Sequence, residues 1–251
     1  VYKRQGYFGP NSMMWKVNKE ITVLFGGARA LLMHAAHPLI AAGARQTSFY
    51  QRDPWKRVIR TLSLQNSVTF GTIEEANDSA TRINRLHEVI NGKDNVTGGY
   101  YDALDHEQLL WVHACLQISS IYFYEKTVRK LTDDEKNQYH NENMVSAKLV
   151  LVDIDKTPKT HEELIQWVIK KSKEKNYLQL TDVAKDVQNI ISGGPVPKHI
   201  KPIWPFISFT AFNTLPNEFK EIYGIKTTKT KNIVLKFNLL LLCLLYTSPS
   251  P

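Results

Sequence analysis

Residues 72–90, TIEEANDSATRINRLHEVI, carry the reading that decides the fold. Thr72 stands three residues before Glu75. In that spacing a threonine hydroxyl accepts an orphan amide at a helix start while the glutamate reaches back. Behind the cap, Ala76, Ala80, Ile83, Leu86 and Ile90 recur at helical spacing and mark one apolar stripe. The pattern predicts a helix over 73–90.

The same start signal returns along the chain. Thr132 with Glu135 and Thr160 with Glu163 repeat it, and Asp105 with Gln108 is a looser version. These caps predict helices over 106–131, 133–152 and 161–175. Upstream, 19–36 reads as a buried helix despite Gly26-Gly27, stopped at His37-Pro38 because proline disfavours helix in the residue before it. Asp53-Pro54 starts another, since proline suits the first helical turn. A shorter helix is expected over 181–191, ended by Gly193-Gly194-Pro195.

Strand signals are scarce. The run Leu149–Val152 is short and closes a helix, and Asn91-Gly92 sits where a helix C-cap is expected. Residues 193–216 carry five prolines among Trp204, Phe206, Phe209 and Phe212, and read as an irregular aromatic segment with room for one short helix. The expectation is a single all-α domain over 6–225.

Composition agrees. The chain has 251 residues, 43% of them hydrophobic and 22% charged, which fits one large globular domain and excludes a disordered or collagen-like chain. Two cysteines cannot build a disulfide framework. The net charge of +8 comes from lysines spread through 156–175 and 198–236. They are mixed with acids or prolines and form no compact basic block, so no nucleic-acid partner is expected. The apolar run 239–246, even extended back to Ile233, holds Lys236 and Asn238 and falls short of the ~20 residues of a bilayer span, so no transmembrane span is expected. Residues 1–5 and 239–251 resemble translated adaptor sequence and are set aside from the fold.

Several side chains could carry chemistry. His34 and His37 are three apart, a spacing able to ligate a metal, although a helix end whose histidines bond free carbonyls is the plainer reading. His87 borders or enters the apolar stripe quoted above, and His113 lies in the apolar run Leu109–Leu116. A buried imidazole requires a hydrogen-bond partner or a metal. His106, His140, His161 and His199 sit among polar residues and read as surface. Arg57, Arg60 and Thr61 share one helical face, where two guanidiniums and a hydroxyl suit an anion or a polar oxygen ligand, and the flanking Val58, Ile59, Leu62 and Leu64 predict a largely buried helix. No Gly-x-Ser-x-Gly elbow, P-loop, CxxC pair or Gly-x-Gly-x-x-Gly is present, which argues against hydrolase, kinase and dinucleotide readings.

An ordered series of motifs then points further. Gly9-Pro10-x-Ser12-x-x-Trp15, Gly27-x-Arg29-Ala30-Leu31-Leu32-x-x-Ala35-x-His37-Pro38, Ser48-x-x-x-x-Asp53-Pro54, Arg57-x-x-Arg60-Thr61, Thr69-Phe70-Gly71, Leu86-His87 and Trp111-Val112-His113-Ala114 follow one another along the chain. Together they resemble the MpaB/latex-clearing-protein (rubber oxygenase) family of oxygenases. The resemblance implies a globin-related helical core holding haem b, with dioxygen chemistry at the iron and a small hydrophobic, unsaturated substrate. It makes His87 the iron ligand, places Arg57 and Thr61 beside the haem as cofactor-binding and catalytic groups, and leaves His113 and His37 as further cofactor-binding candidates. Arg60, a third catalytic candidate, stands where rubber oxygenases carry a lysine, and a guanidinium has no lone pair to give iron. The glutamate those enzymes use as a base has no counterpart among Ala41, Ala42 and Gln46. Leu31, Met33, Phe70, Trp111 and Leu116 are the expected apolar lining. A non-catalytic haem-binding sensor or carrier, and a helical scaffold without cofactor, are the competing readings.

Overall fold

The longest helix, α6 (His106–Thr127), runs through the middle of the molecule and is apolar on nearly every side because other helices surround it. The computed structural model describes residues 5–47, 52 and 54–247, with only the backbone for 54–58 and 245–247. Among these, α1 (Met13–Asn18) and a 3-10 turn (Ile21–Leu24) lead into α2 (Phe25–Ala35) and α3 (Pro38–Thr47). Next come α4 (Pro54–Phe70) and α5 (Ile73–His87). After α6 follow α7 (Asp133–Leu149), α8 (His161–Ser172), α9 (Asp182–Gly193), α10 (Trp204–Asn213), α11 (Asn217–Ile222) and α12 (Lys229–Thr247). The protein is all-α, with one two-stranded ribbon among the described residues.

The caps do what their spacing predicts. Thr72 and Thr132 each accept the amide of a glutamate three residues on, while that glutamate's carboxylate accepts the threonine amide. At Thr160 the exchange is half made: its hydroxyl accepts the Glu163 amide, but the Glu163 carboxylate accepts Lys159 N–H instead, at 2.8 Å. Replacing Thr132 with alanine is expected to cost about 1 kcal/mol. Urea unfolding of that variant should show a lower midpoint with an unchanged slope.

The helix expected over 19–36 begins later, because residues 21–24 wind as a 3-10 turn, and it ends before Pro38 as expected. There the chain bends by 102° into α3. Gly26 lets α2 lie hard against α6: a Cβ there would sit 3.1 Å from the Ser119 carbonyl oxygen. Near the middle of α2, Arg29 is buried with its guanidinium spanning three elements. Its Nε donates to the Thr214 carbonyl at 3.0 Å, Nη1 donates to Ser119 Oγ at 2.6 Å, and the cation lies 4.9 Å from the centre of the Tyr122 ring. Burial lowers its pKa to about 10, so it remains charged at neutral pH.

One local expectation fails. Asn91-Gly92 does not simply cap α5 but opens β1 (Asn91–Lys93), paired antiparallel with β2 (Tyr100–Asp102) so that Gly92 faces Tyr101. The intervening turn is closed by Asp94, whose carboxylate accepts both Thr97 N–H and its hydroxyl. The Asn91 side chain still donates to the Glu88 carbonyl, the capping duty anticipated for it. Within the segment expected to be irregular, α10 is the short helix, with proline in its first turn.

Two apolar clusters hold the molecule. The larger is centred on Trp111, fully buried, whose ring meets those of His37, Trp167, Tyr177 and Phe219 at 5.0–6.0 Å. The smaller joins Met13, Met14 and Val17 of α1 to Ile121 and Tyr124 of α6 and Tyr139 of α7. Finally, α12 lies along α6 and α10, with Leu242 and Asn238 turned inward.

Candidate functional site

The α4–α5 pair positions most of the candidates. Only Gly71 and Thr72 separate Phe70 from Ile73, so the two helices pack as an antiparallel hairpin. Ser79 Oγ donates to Ser67 Oγ at 3.1 Å and fixes the register. Carried along the pair, that register puts residues 59–61 level with 85–87. The face predicted around Arg60 and Thr61 and the imidazole of His87 therefore share one end of the hairpin.

His87 is the last residue of α5 and is half-buried. Its end of the helix is tied down from two sides. Gln46 of α3 donates to the Val89 carbonyl at 3.0 Å, and Asn84 donates to the Leu149 carbonyl at the close of α7 at 2.9 Å. Gly43 of α3 allows the close approach, since a Cβ there would stand 3.1 Å from Ile90. Around this end Ile59, Leu86 and Val89 are exposed to 59%, 45% and 68%.

The helix expected to be largely buried is exposed along much of its length. Ile59, Arg60 and Thr61 face solvent, because α5 and α1 cover α4 from one side only. The Arg57 side chain lies outside the described residues. On α3, Ala41 and Ala42 are buried and Gln46 is exposed, and the helix carries no acid.

The other histidines stand apart from this end. His34 Nε2 donates to the Val112 carbonyl at 3.0 Å, the carbonyl-bonding role expected of it, though across to α6. His37 is buried with its ring edge-on to Tyr177 at 4.6 Å, and desolvation lowers its pKa to about 4. His113 is buried on α6 two residues past Trp111, hence on a different side of that helix. Its Nε2 has no hydrogen-bond partner among the described residues, and burial, with a smaller push from His140, lowers its pKa to about 4.

Two histidines read as surface are in fact interior. His140 is 1% and His161 4% exposed, and both ring Nδ1 atoms accept from the single Gln117 amide nitrogen, at 3.0 and 3.3 Å. Nε2 of His140 donates to the Pro158 carbonyl, which fixes its tautomer. The signal available was the face Tyr139, His140, Asn143, Ser146 and Ala147, small and polar side chains at helical spacing that are all buried. His106, by contrast, sits near the surface and accepts the Asp153 amide.

The expected apolar lining is divided among packing sites. Met33 and Trp111 are fully buried in the larger cluster, Leu31 and Leu116 pack at its edge, and Phe70 stands edge-on to Trp15 at 4.8 Å. Two surface clefts, of about 430 and 550 Å³, lie along residues 155–170 and beside the start of α5, and neither includes a candidate side chain. Among the described residues no three His, Cys, Asp or Glu side chains converge as a protein-only metal site.

With the geometry in hand, comparison with known families is decisive. The model for the ER-bound oxygenase MpaB/B′/rubber oxygenase catalytic domain matches residues 15–244, from α1 through most of α12. The chain belongs to this family. Its motifs from Trp15 onward, Arg57-x-x-Arg60-Thr61 and Leu86-His87 among them, fall inside the matched range, as do residues 239–244 of the stretch set aside above. As an MpaB/rubber oxygenase catalytic domain the protein is an oxidoreductase that uses dioxygen and a substrate. No curated protein and no solved structure gives a significant match. Among the described residues no single helix is long and apolar enough to cross a membrane.

Proposed function

We propose that this MpaB-like domain is a haem b-dependent oxygenase of a small, hydrophobic, unsaturated compound, in which His87 would hold the haem iron. The observation that carries the reading is the half-buried imidazole of His87 beside the exposed Ile59, Leu86 and Val89. A porphyrin occupies four iron positions with its own nitrogens, so the protein supplies one neutral donor and apolar surface for the ring. The residues present fit that demand at this end of the hairpin. When bound, haem supplies dioxygen binding and activation at iron.

The chain's own groups divide the remaining work. Arg60 and Thr61 offer donors to pair with haem propionates or to orient a polar oxygen, and the sequence spacing assigns Arg57 to the same duty. Arg60 acts through its charge and hydrogen bonds, since it cannot ligate. With no acid on α3, no carboxylate from that helix serves as a base, which favours a substrate other than rubber.

The test is an absorption spectrum of purified protein followed by oxygen uptake with unsaturated terpenoid or lipid substrates. A haem band with substrate-dependent uptake supports the proposal. A haem band without turnover indicates the sensor or carrier, and a colourless protein that refuses added haemin overturns both. Arg60→Ala is expected to retain the band while turnover falls roughly tenfold, the worth of one charge-assisted hydrogen bond.

A further inference from the structure

The last helix has two faces, and only one is used. Asn238 and Leu242 of α12 point inward, and Asn238 donates to Thr210 Oγ1 of α10. On the opposite side Ile233, Val234, Phe237 and Leu240 are exposed to 68%, 40%, 58% and 54%. Their spacing of three and four residues lines three of them, Ile233, Phe237 and Leu240, into one stripe. An apolar stripe on a helix is normally covered by a core or by lipid, and this one is in water. Two of the three stripe side chains, Ile233 and Phe237, precede residue 239 and so lie outside the stretch resembling adaptor sequence.

Charge points to the occupant. The last acid in the chain is Glu221, while Lys226, Lys229, Lys231 and Lys236 follow it. On the helix, Lys229 and Lys236 are exposed and lie along one margin of the stripe. Two copies pairing through this face would bring those lysines together with no acid from α12 to offset them. An anionic lipid surface attracts them instead, and its acyl boundary accepts the aliphatic and aromatic side chains.

We infer that the outer face of α12 is a membrane-docking surface, on which the helix lies in the interface of an anionic bilayer without crossing it. The inference is independent of the haem reading. It is tested by sedimenting the full chain with vesicles of phosphatidylcholine alone or of an equimolar mixture with phosphatidylserine. Binding to the mixed vesicles, weakened by salt, is expected. The affinity should fall about fivefold for each of Lys229→Gln and Lys236→Gln, and binding should be lost in Phe237→Glu. Phe237 is exposed, so its replacement leaves the core untouched, and an unchanged circular dichroism spectrum would verify that. Absence of sedimentation with mixed vesicles overturns the inference, as does binding indifferent to Phe237→Glu. A dimer in gel filtration that Phe237→Glu dissolves, in a protein that ignores vesicles, would assign the face to a second copy.

Discussion

Replacing His87 with alanine is expected to leave a folded, colourless protein. The ring sits at the last turn of α5, alanine is the best helix former, and the capping box at Thr72 and the Asn84 and Gln46 bonds remain in place. Stability should therefore change little, while the imidazole that would hold the iron is lost. Haem content after reconstitution should drop to background and oxygen uptake by at least about a hundredfold, the upper range already seen when mere supporting groups of a metal site are removed. Imidazole added to the medium can occupy the vacated position, and partial return of the band would separate lost ligation from damaged structure. His113→Ala is the matched control. It empties a buried position and should unfold more easily, yet keep its haem. If His87→Ala retains full haem while His113→Ala loses it, the ligand is His113.

Acid should unfold the protein well before its carboxylates are titrated. His37, His113 and His161 all have pKa values lowered to about 4, and that of His140 is lowered too, because burial penalises their charged forms. In the unfolded chain each ring returns to about 6.5. The unfolded state thus binds more protons between these values, so the contribution is complete above pH 6.5, falls as pH drops towards 4 and is spent below that. The difference amounts to at most about 3 kcal/mol per ring. Three such rings approach the whole of a typical folding free energy of roughly 5–15 kcal/mol. Thermal midpoints recorded across this range should decline steeply. His161→Asn keeps an acceptor where Nδ1 stood and cannot titrate there, so it should flatten the decline by its share. A flat profile from pH 6.5 to 4 would contradict the account. The partly exposed Glu135, held at about 2 by Arg129, acts in a lower window and cannot mimic the effect.

What the sequence disclosed, and what it hid, follows from the range of the forces involved. Caps at Thr72, Thr132 and Asp105 are exchanges between residues three apart, so they were legible. So was the end of α2 at Pro38, a steric rule between neighbours. The interior positions of His140 and His161 were not. Asn137, Gln138, Asn141 and Glu142 around His140, and Thr160, Glu162 and Glu163 around His161, are polar, and the burial of the two rings depends on Gln117, 23 and 44 residues away. Strands of three residues give no alternation to read, and β1 and β2 are held by the Asp94–Thr97 turn rather than by side-chain pattern. At the site, the shared face of Arg57, Arg60 and Thr61 and the stripe bearing His87 could both be derived. That they share one end of a hairpin could not, since it follows from a two-residue connection and the Ser67–Ser79 contact.

The guanidinium of Arg29 has a consequence for how the chain comes apart. Its charge is answered by a carbonyl 185 residues later and a hydroxyl 90 residues later. Close by, Tyr223 donates to the Leu32 carbonyl and the Gln179 amide to that of Ala36. Peeling away the helices after residue 200 would take the Thr214 carbonyl from the guanidinium and break the Tyr223–Leu32 bond in the same step. Early and late segments are thus bound into one cooperative unit, and unfolding should proceed in a single transition rather than by stepwise fraying from the carboxyl end.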